Sequence, residues 1–186
     1  MPDIWLITGI PGAGKTIAAR LLAGRFQRGV HIEGDLFLDH AVSGGVRPGD
    51  EPIAESERQL RLTWRNQCLL ARSYVEAGFD VVIDYVISSR STLQEFRSQL
   101  TSLVLHLVVL TPGKETAIER DLHREKSQSF KEELGIGLAE YWSFIEDEMT
   151  AELGGTGFWI GNAKLRPRRQ WTSSSPTVSV PGWHRD

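Results

Sequence analysis

Eight residues near the start, Gly9-Ile10-Pro11-Gly12-Ala13-Gly14-Lys15-Thr16, constrain this chain more than any other stretch. They satisfy the pattern G-x-x-x-x-G-K-S/T in full. The apolar run Ile4-Trp5-Leu6-Ile7 precedes them, and Ile17-Ala18-Ala19-Arg20-Leu21-Leu22 follows with apolar residues at helical spacing. Strand, glycine loop and helix in that order form the setting in which such a loop cradles phosphate. Glycines let successive backbone N–H groups turn toward one anion, and the helix N-terminus adds partial positive charge. Gly9, Pro11, Gly12, Ala13, Gly14, Lys15, Thr16 and Ile17 are therefore the expected phosphate-contacting set. In such a loop Lys15 reaches the β- and γ-phosphates, and the Thr16 hydroxyl ligates Mg2+. The motif implies binding of a nucleoside triphosphate.

A chain of 186 residues suits one domain with a sizeable core. The net charge of −3 gives no reason to expect nucleic acid as the main partner. One cysteine, Cys68, excludes an internal disulfide framework and agrees with a reducing, cytoplasmic setting. The N-terminus enters a strand almost at once, so no signal peptide is expected. No apolar stretch approaches the ~20 residues needed to span a bilayer. Charge is uneven along the chain. From residue 162 onward, five basic side chains face one acidic one, a net of +4 that leaves −7 on the remainder. That segment also holds Pro167, Pro176, Pro181 and Ser173-Ser174-Ser175. It is expected to be a poorly ordered, solvated extension over 162–186, with the folded domain over 1–161.

Strand and helix signals alternate along the rest, the signature of an α/β fold with a parallel sheet. Gly29 to Glu33 reads as a second strand ending at Gly34-Asp35, and Ser43 to Asp50 as a loop. A long helix is predicted from about Ile53 to Ala77, with Leu60, Trp64, Cys68, Ala71 and Val75 on one apolar stripe. Val81-Val82-Ile83-Asp84 is a buried strand ending in a carboxylate. A helix from about Ser91 to Leu100 leads into the strand Leu103 to Leu110. Lys114 to about Lys126 is helical in pattern, Ser127 to Gly137 reads as a mobile polar connector, and Leu138 to Leu153 as one amphipathic helix. Gly157 to Ile160 is a last short strand. Five parallel strands with intervening helices make one doubly wound domain.

Ligands of such sheets bind beyond the carboxyl ends of the strands, where the glycine loop, Asp35 and Asp84 all fall. Asp84 closes its apolar run as a Walker B carboxylate does, and is the candidate metal residue with Thr16. Asp35 is the candidate acceptor-side carboxylate, able to take or orient a hydroxyl proton for in-line attack. An ordinary N-cap of the following turn is its other reading. Gly34 beside it suggests close access for a substrate. Asp39 and His40 rank below Asp35 as secondary contacts. Arg120 and Arg124 stand four apart, so on one helix they share a face and suit a lid over transferring phosphates. Arg47, in a Gly/Pro loop, is a candidate for acceptor recognition. His31 and His106 lie in strands and read as structural, and Cys68 as core.

Together, Gly9 to Thr16, Gly34-Asp35, Val81 to Asp84, and the Val108-Val109-Leu110 strand with Arg120 and Arg124 beyond it form a pattern. It resembles the small P-loop kinases of the chloramphenicol phosphotransferase-like group, related to gluconate and shikimate kinases and to zeta toxins. The resemblance covers about Ile4 to Ile160. It implies a three-layer P-loop NTPase fold with a five-stranded parallel sheet in the adenylate-kinase-like order 2-3-1-4-5. It also implies use of ATP with Mg2+ to phosphorylate a hydroxyl on a small molecule. By that similarity Asp35 matches the acceptor-side carboxylate, and Arg120 and Arg124 the lid arginines. Where such kinases carry a loop and helix that close the adenine pocket, Gly161-Asn162-Ala163-Lys164 here runs into the basic segment.

A GTPase-type switch would need D-x-x-G after the Walker B strand and N-K-x-D for guanine. Asp84-Tyr85-Val86-Ile87 lacks the glycine, and Asn162-Ala163-Lys164-Leu165 lacks both spacing and aspartate. A nucleotide-binding protein without kinase chemistry is the remaining alternative. Within the kinase reading, antibiotic, sugar acid, nucleoside and nucleotide-sugar acceptors all stay open, as does oligomeric state.

Overall fold

The computed structural model describes residues 2–122 and 124–164. The segment from 165 on, assigned above to the C-terminal extension, lies outside the described residues. Strand β1 (Ile4–Thr8) is wholly buried and leads through the glycine loop into α1 (Lys15–Ala23). Next come β2 (Gly29–Glu33), the short α2 (Leu36–Asp39), α3 (Ile53–Glu76) and β3 (Asp80–Asp84). Helix α4 (Arg90–Gln99) precedes β4 (Leu105–Leu110). Four helices follow: α5 (Lys114–Asp121), α6 (Glu125–Leu134), α7 (Leu138–Tyr141) and α8 (Ile145–Leu153). The last strand is β5 (Phe158–Ile160).

All strand pairs are parallel, and the sheet order is β2-β3-β1-β4-β5, as the resemblance implies. From β1 the chain moves out to β2, returns to β3 at β1's flank, then crosses to β4 on the other side. The order therefore reverses around β1, and the glycine loop leaves β1 at that switch point. Register brings the strand ends level, with Ile7 beside Asp84 and Glu33 beside Asp84.

Helices cover both faces of this sheet, so its central strands are continuous apolar runs rather than alternating ones. Ile4, Leu6, Ile83 and Val109 are fully buried, as are Phe96 and Leu100 of the α4 region. At the amino ends of the strands, Trp5 stacks on His106 at 4.1 Å between ring centres, and His106 approaches Asp3 at 3.3 Å. His106 thus belongs to the packing at the end of the sheet opposite the glycine loop.

The stripe read on α3 is seen, with Cys68, Ala71 and Val75 buried and Leu60 and Trp64 half-buried against the core. Burial pushes the Cys68 thiol up to about 12. The thiolate is the reactive form, so the native protein is expected to resist thiol reagents at pH 8 and react fully only when unfolded. Rapid native labelling with a chromogenic disulfide would contradict this packing.

Two expectations about the second half are corrected. Ser127 to Gly137 is not a connector: Glu125–Leu134 forms α6, which Gly135 ends in the left-handed conformation at φ 75°. Its sequence is polar but rich in Lys, Glu and Gln, which favour helix on a solvated face. The expected single helix over Leu138 to Leu153 divides into α7 and α8 around Trp142-Ser143-Phe144. Ile145, Met149 and Leu153 remain buried, as the stripe requires. None of the helices among the described residues is long and apolar enough to cross a membrane.

Candidate active site

The glycine loop is a packed structure in its own right. Gly9, Ile10, Pro11, Gly12 and Ala13 are buried, Gly14 caps α1, and Ile17 is 46% exposed on that helix's first turn. Lys15 folds back over the loop, its Nζ donating to the carbonyls of Gly9 at 2.9 Å and Ile10 at 3.3 Å. Gly12 shows why the sequence is so restricted here. Its φ is +80°, and an added Cβ would stand 2.1 Å from the Ala117 carbonyl oxygen of α5. Gly12→Ala is expected to cost at least about 1–3 kcal/mol, the scale of forced backbone strain. It should lower the melting temperature and weaken nucleotide binding together; an unchanged melting curve would mean that loop and α5 part freely.

Thr16 and Asp84, the two candidate metal residues, are in contact. The Thr16 hydroxyl donates to Asp84 Oδ2 at 2.7 Å, and Asp84 is 4% exposed. Its other oxygen, Oδ1, lies 2.6 Å from His31 Nε2. Among the described residues no group of three or more His, Cys, Asp and Glu side chains would hold a metal unaided. The donor set nonetheless suits Mg2+, which takes one or two protein oxygens and completes its octahedron with water and substrate phosphates. A hydroxyl and a carboxylate in contact at the glycine loop supply that minimum.

At the same end of the sheet, Asp35 follows β2. It occupies the N-cap position of α2, yet its side chain makes no capping bond. Tyr85, the residue after β3, is near enough to feel its charge. Burial, and then the neighbouring Asp35 charge, push the Tyr85 phenol well above its ordinary value. Gly34 has a different role from the one expected. A Cβ there would meet Tyr85 Cδ2 at 2.7 Å, Gln67 Oε1 at 2.8 Å and the Asp84 carbonyl at 2.9 Å. The glycine is required by packing between β3 and α3. Gln67, fully buried, also donates to the Gly34 carbonyl at 3.3 Å, which fixes the turn that carries Asp35.

The two arginines do not share a helix face. Helix α5 ends at Asp121, and Arg124 sits at the N-cap of α6 with extended backbone. Arg120 donates to the carbonyls of Asn162 and Ala163 at 2.8 and 3.1 Å. Arg124 pairs with Asp121 at 3.1 Å, a carboxylate only 2% exposed that also accepts from Ser127 and from the Ala139 N–H. The separation of α5 from α6 follows from this buried carboxylate, whose bonds to Ser127 and Ala139 draw α6 and α7 onto the end of α5. Arg47 forms an exposed ion pair with Glu133 of α6 at 3.0 Å. Asp39 and His40 are exposed, and His40 packs on Phe37.

Asn162 was grouped with the extension, but it is buried and joins the site wall. Its Nδ2 donates to the Ala13 carbonyl at 2.8 Å, while its Oδ1 is buried with no hydrogen-bond partner among the described residues. Asn162, Tyr85, Gln67 and His31 are therefore the site residues that pattern reading missed. Only their positions distinguish them in the sequence: Tyr85 and Asn162 one or two residues past a strand, Gln67 on the stripe of α3, and His31 within β2.

Comparison with known proteins follows this geometry. Residues 4–135 match the family model AAA_33, an AAA domain. A UPF0200 protein of Aeropyrum pernix is 28% identical over 123 residues, 65% of this chain and 64% of that protein, so the match spans less than two thirds of the relative's length. Among solved structures, a tunicamycin resistance protein of Deinococcus radiodurans aligns with a TM-score of 0.58 and 24% identity, covering 89% of each chain. A sugar kinase from Janibacter sp. HTCC2649 aligns with a TM-score of 0.57 and 16% identity, covering 87% of this chain and 86% of the other. At these identities the structures show a shared fold.

Proposed function

We propose that this chain, which belongs to the AAA_33 family of AAA domains, is an ATP-dependent phosphotransferase acting on a hydroxyl of a small molecule. One observation carries the reading. The phosphate loop leaves β1 at the end of the sheet where β3 closes on Asp84, in contact with Thr16, and where β2 closes two residues before Asp35. A hydrolytic switch has no need of a second carboxylate there; a hydroxyl acceptor does.

The backbone of Gly9 to Ile17 and the Lys15 ammonium hold the triphosphate. Thr16 and Asp84 would hold Mg2+, which would supply positive charge against the developing charge of the transferring phosphate. Asp35 accepts the acceptor's hydroxyl proton as that oxygen bonds to the γ-phosphorus and the bridge to the β-phosphate breaks, releasing ADP. Tyr85 and Gln67 keep Asp35 at its post. Of the two arginines, Arg120 is the stronger donor-side candidate, because it belongs to the wall shared by Asn162 and the loop. Arg124 is committed to Asp121 and acts through α6.

Incubation with γ-labelled ATP and a panel of hydroxylated small molecules tests this. Label is expected in an organic phosphate monoester with one acceptor class. Label appearing only as inorganic phosphate, whatever the acceptor, would favour an ATPase and overturn the transferase reading.

A further inference from the structure

The Asp84 carboxylate is gripped from both sides, and only one grip belongs to the phosphate loop. Thr16 holds Oδ2, while His31 Nε2 reaches Oδ1 at 2.6 Å from the edge strand β2. The pair is well enclosed, with side-chain exposures of 13% for His31 and 4% for Asp84. An ionised carboxylate only accepts, so Nε2 carries the proton and donates. The distance is that of a short, charge-assisted bond. Register supports it: His31 stands beside Val82 and Glu33 beside Asp84, so the imidazole reaches diagonally to the carboxylate at the strand's end.

We infer that His31 is a positioning residue for the cation site. It fixes the rotation of the Asp84 carboxylate so that Oδ2 stays directed at Thr16, where the pair would hold a cation. Without that bond the carboxylate can turn about its last torsion, which is soft for aspartate. Hydrogen-bonding partners behind a metal-binding group typically matter by about 10–100-fold in affinity or activity. The inference rests on the assignment of Asp84 to the metal in the proposed function.

Mn2+ binding in the presence of ATP, followed by electron paramagnetic resonance, separates the two. His31→Phe is expected to weaken Mn2+ binding about tenfold or more, and His31→Gln, which keeps a donor, to recover most of it. ATP affinity without metal should stay at the wild-type level, and kcat for His31→Phe should return at saturating Mg2+. Wild-type Mn2+ affinity in His31→Phe, alongside loss in Asp84→Asn, would overturn the inference and leave the metal assignment standing. Equal loss of metal-free ATP affinity, unrescued by glutamine and accompanied by a lower melting temperature, would also overturn it, in favour of a folding role. Wild-type Mn2+ binding in Asp84→Asn would overturn the metal assignment itself, and the inference with it.

Discussion

Lys15→Ala is expected to reduce turnover by at least about 10²–10³-fold, the scale for removing one preorganised charge from a phosphoryl site, and to weaken ATP binding. The reason lies in what surrounds the ammonium. It sits over the loop, held by the carbonyls of Gly9 and Ile10, beside the backbone that the proposed triphosphate would contact. Alanine leaves those carbonyls and the helix N-terminus in place but removes the full positive charge. Circular dichroism and the melting curve should be nearly unchanged, which separates a lost contact from a lost fold. Wild-type affinity and turnover in this variant would remove the glycine loop from the site.

Asp35→Asn should behave differently. Asparagine keeps the shape and much of the hydrogen bonding but cannot take a proton. Phosphotransfer is expected to fall by about 10²–10⁴-fold while ATP affinity stays nearly intact. The packing of Gly34 against Tyr85 and Gln67 should hold the turn in the variant, so the effect reads chemistry rather than misfolding. A drop in ATP affinity with little loss of kcat would instead assign Asp35 to the metal side.

Much of this was legible in the sequence, and the physics explains which parts. The central strands β1, β3 and β4 read correctly because each carries an unbroken, largely buried apolar run, as in Val81-Val82-Ile83. The glycine loop was legible because its backbone geometry excludes side chains, as the 2.1 Å clash at Gly12 shows. Asp84 was legible as a strand-ending carboxylate because the apolar run stops there, and it lies 2.7 Å from the Thr16 hydroxyl. The helices after β4 were harder. Their order depends on Asp121, a buried carboxylate whose partners Ser127 and Ala139 are six and eighteen residues away. A spacing of four therefore suggested a common face for Arg120 and Arg124 that the chain does not form. Gly34 was read for the right property, a missing side chain, and the wrong beneficiary. His31 looked like a strand residue because β2 is a strand; its partner lies 53 residues on and is visible only once β2 and β3 pair. Asn162 carries no pattern at all, being a single polar residue two positions past β5.

The central claim, that this site passes the γ-phosphoryl group of ATP to a hydroxyl, is tested most directly by ADP release from Mg·ATP. It should be measured with and without hydroxylated small molecules of several classes, with Lys15→Ala as the blank. The account predicts slow release alone and a large stimulation by one class, abolished in Lys15→Ala and strongly reduced in Asp35→Asn. Release at the same rate with every compound and with none, still dependent on Lys15 but indifferent to Asp35, would contradict it.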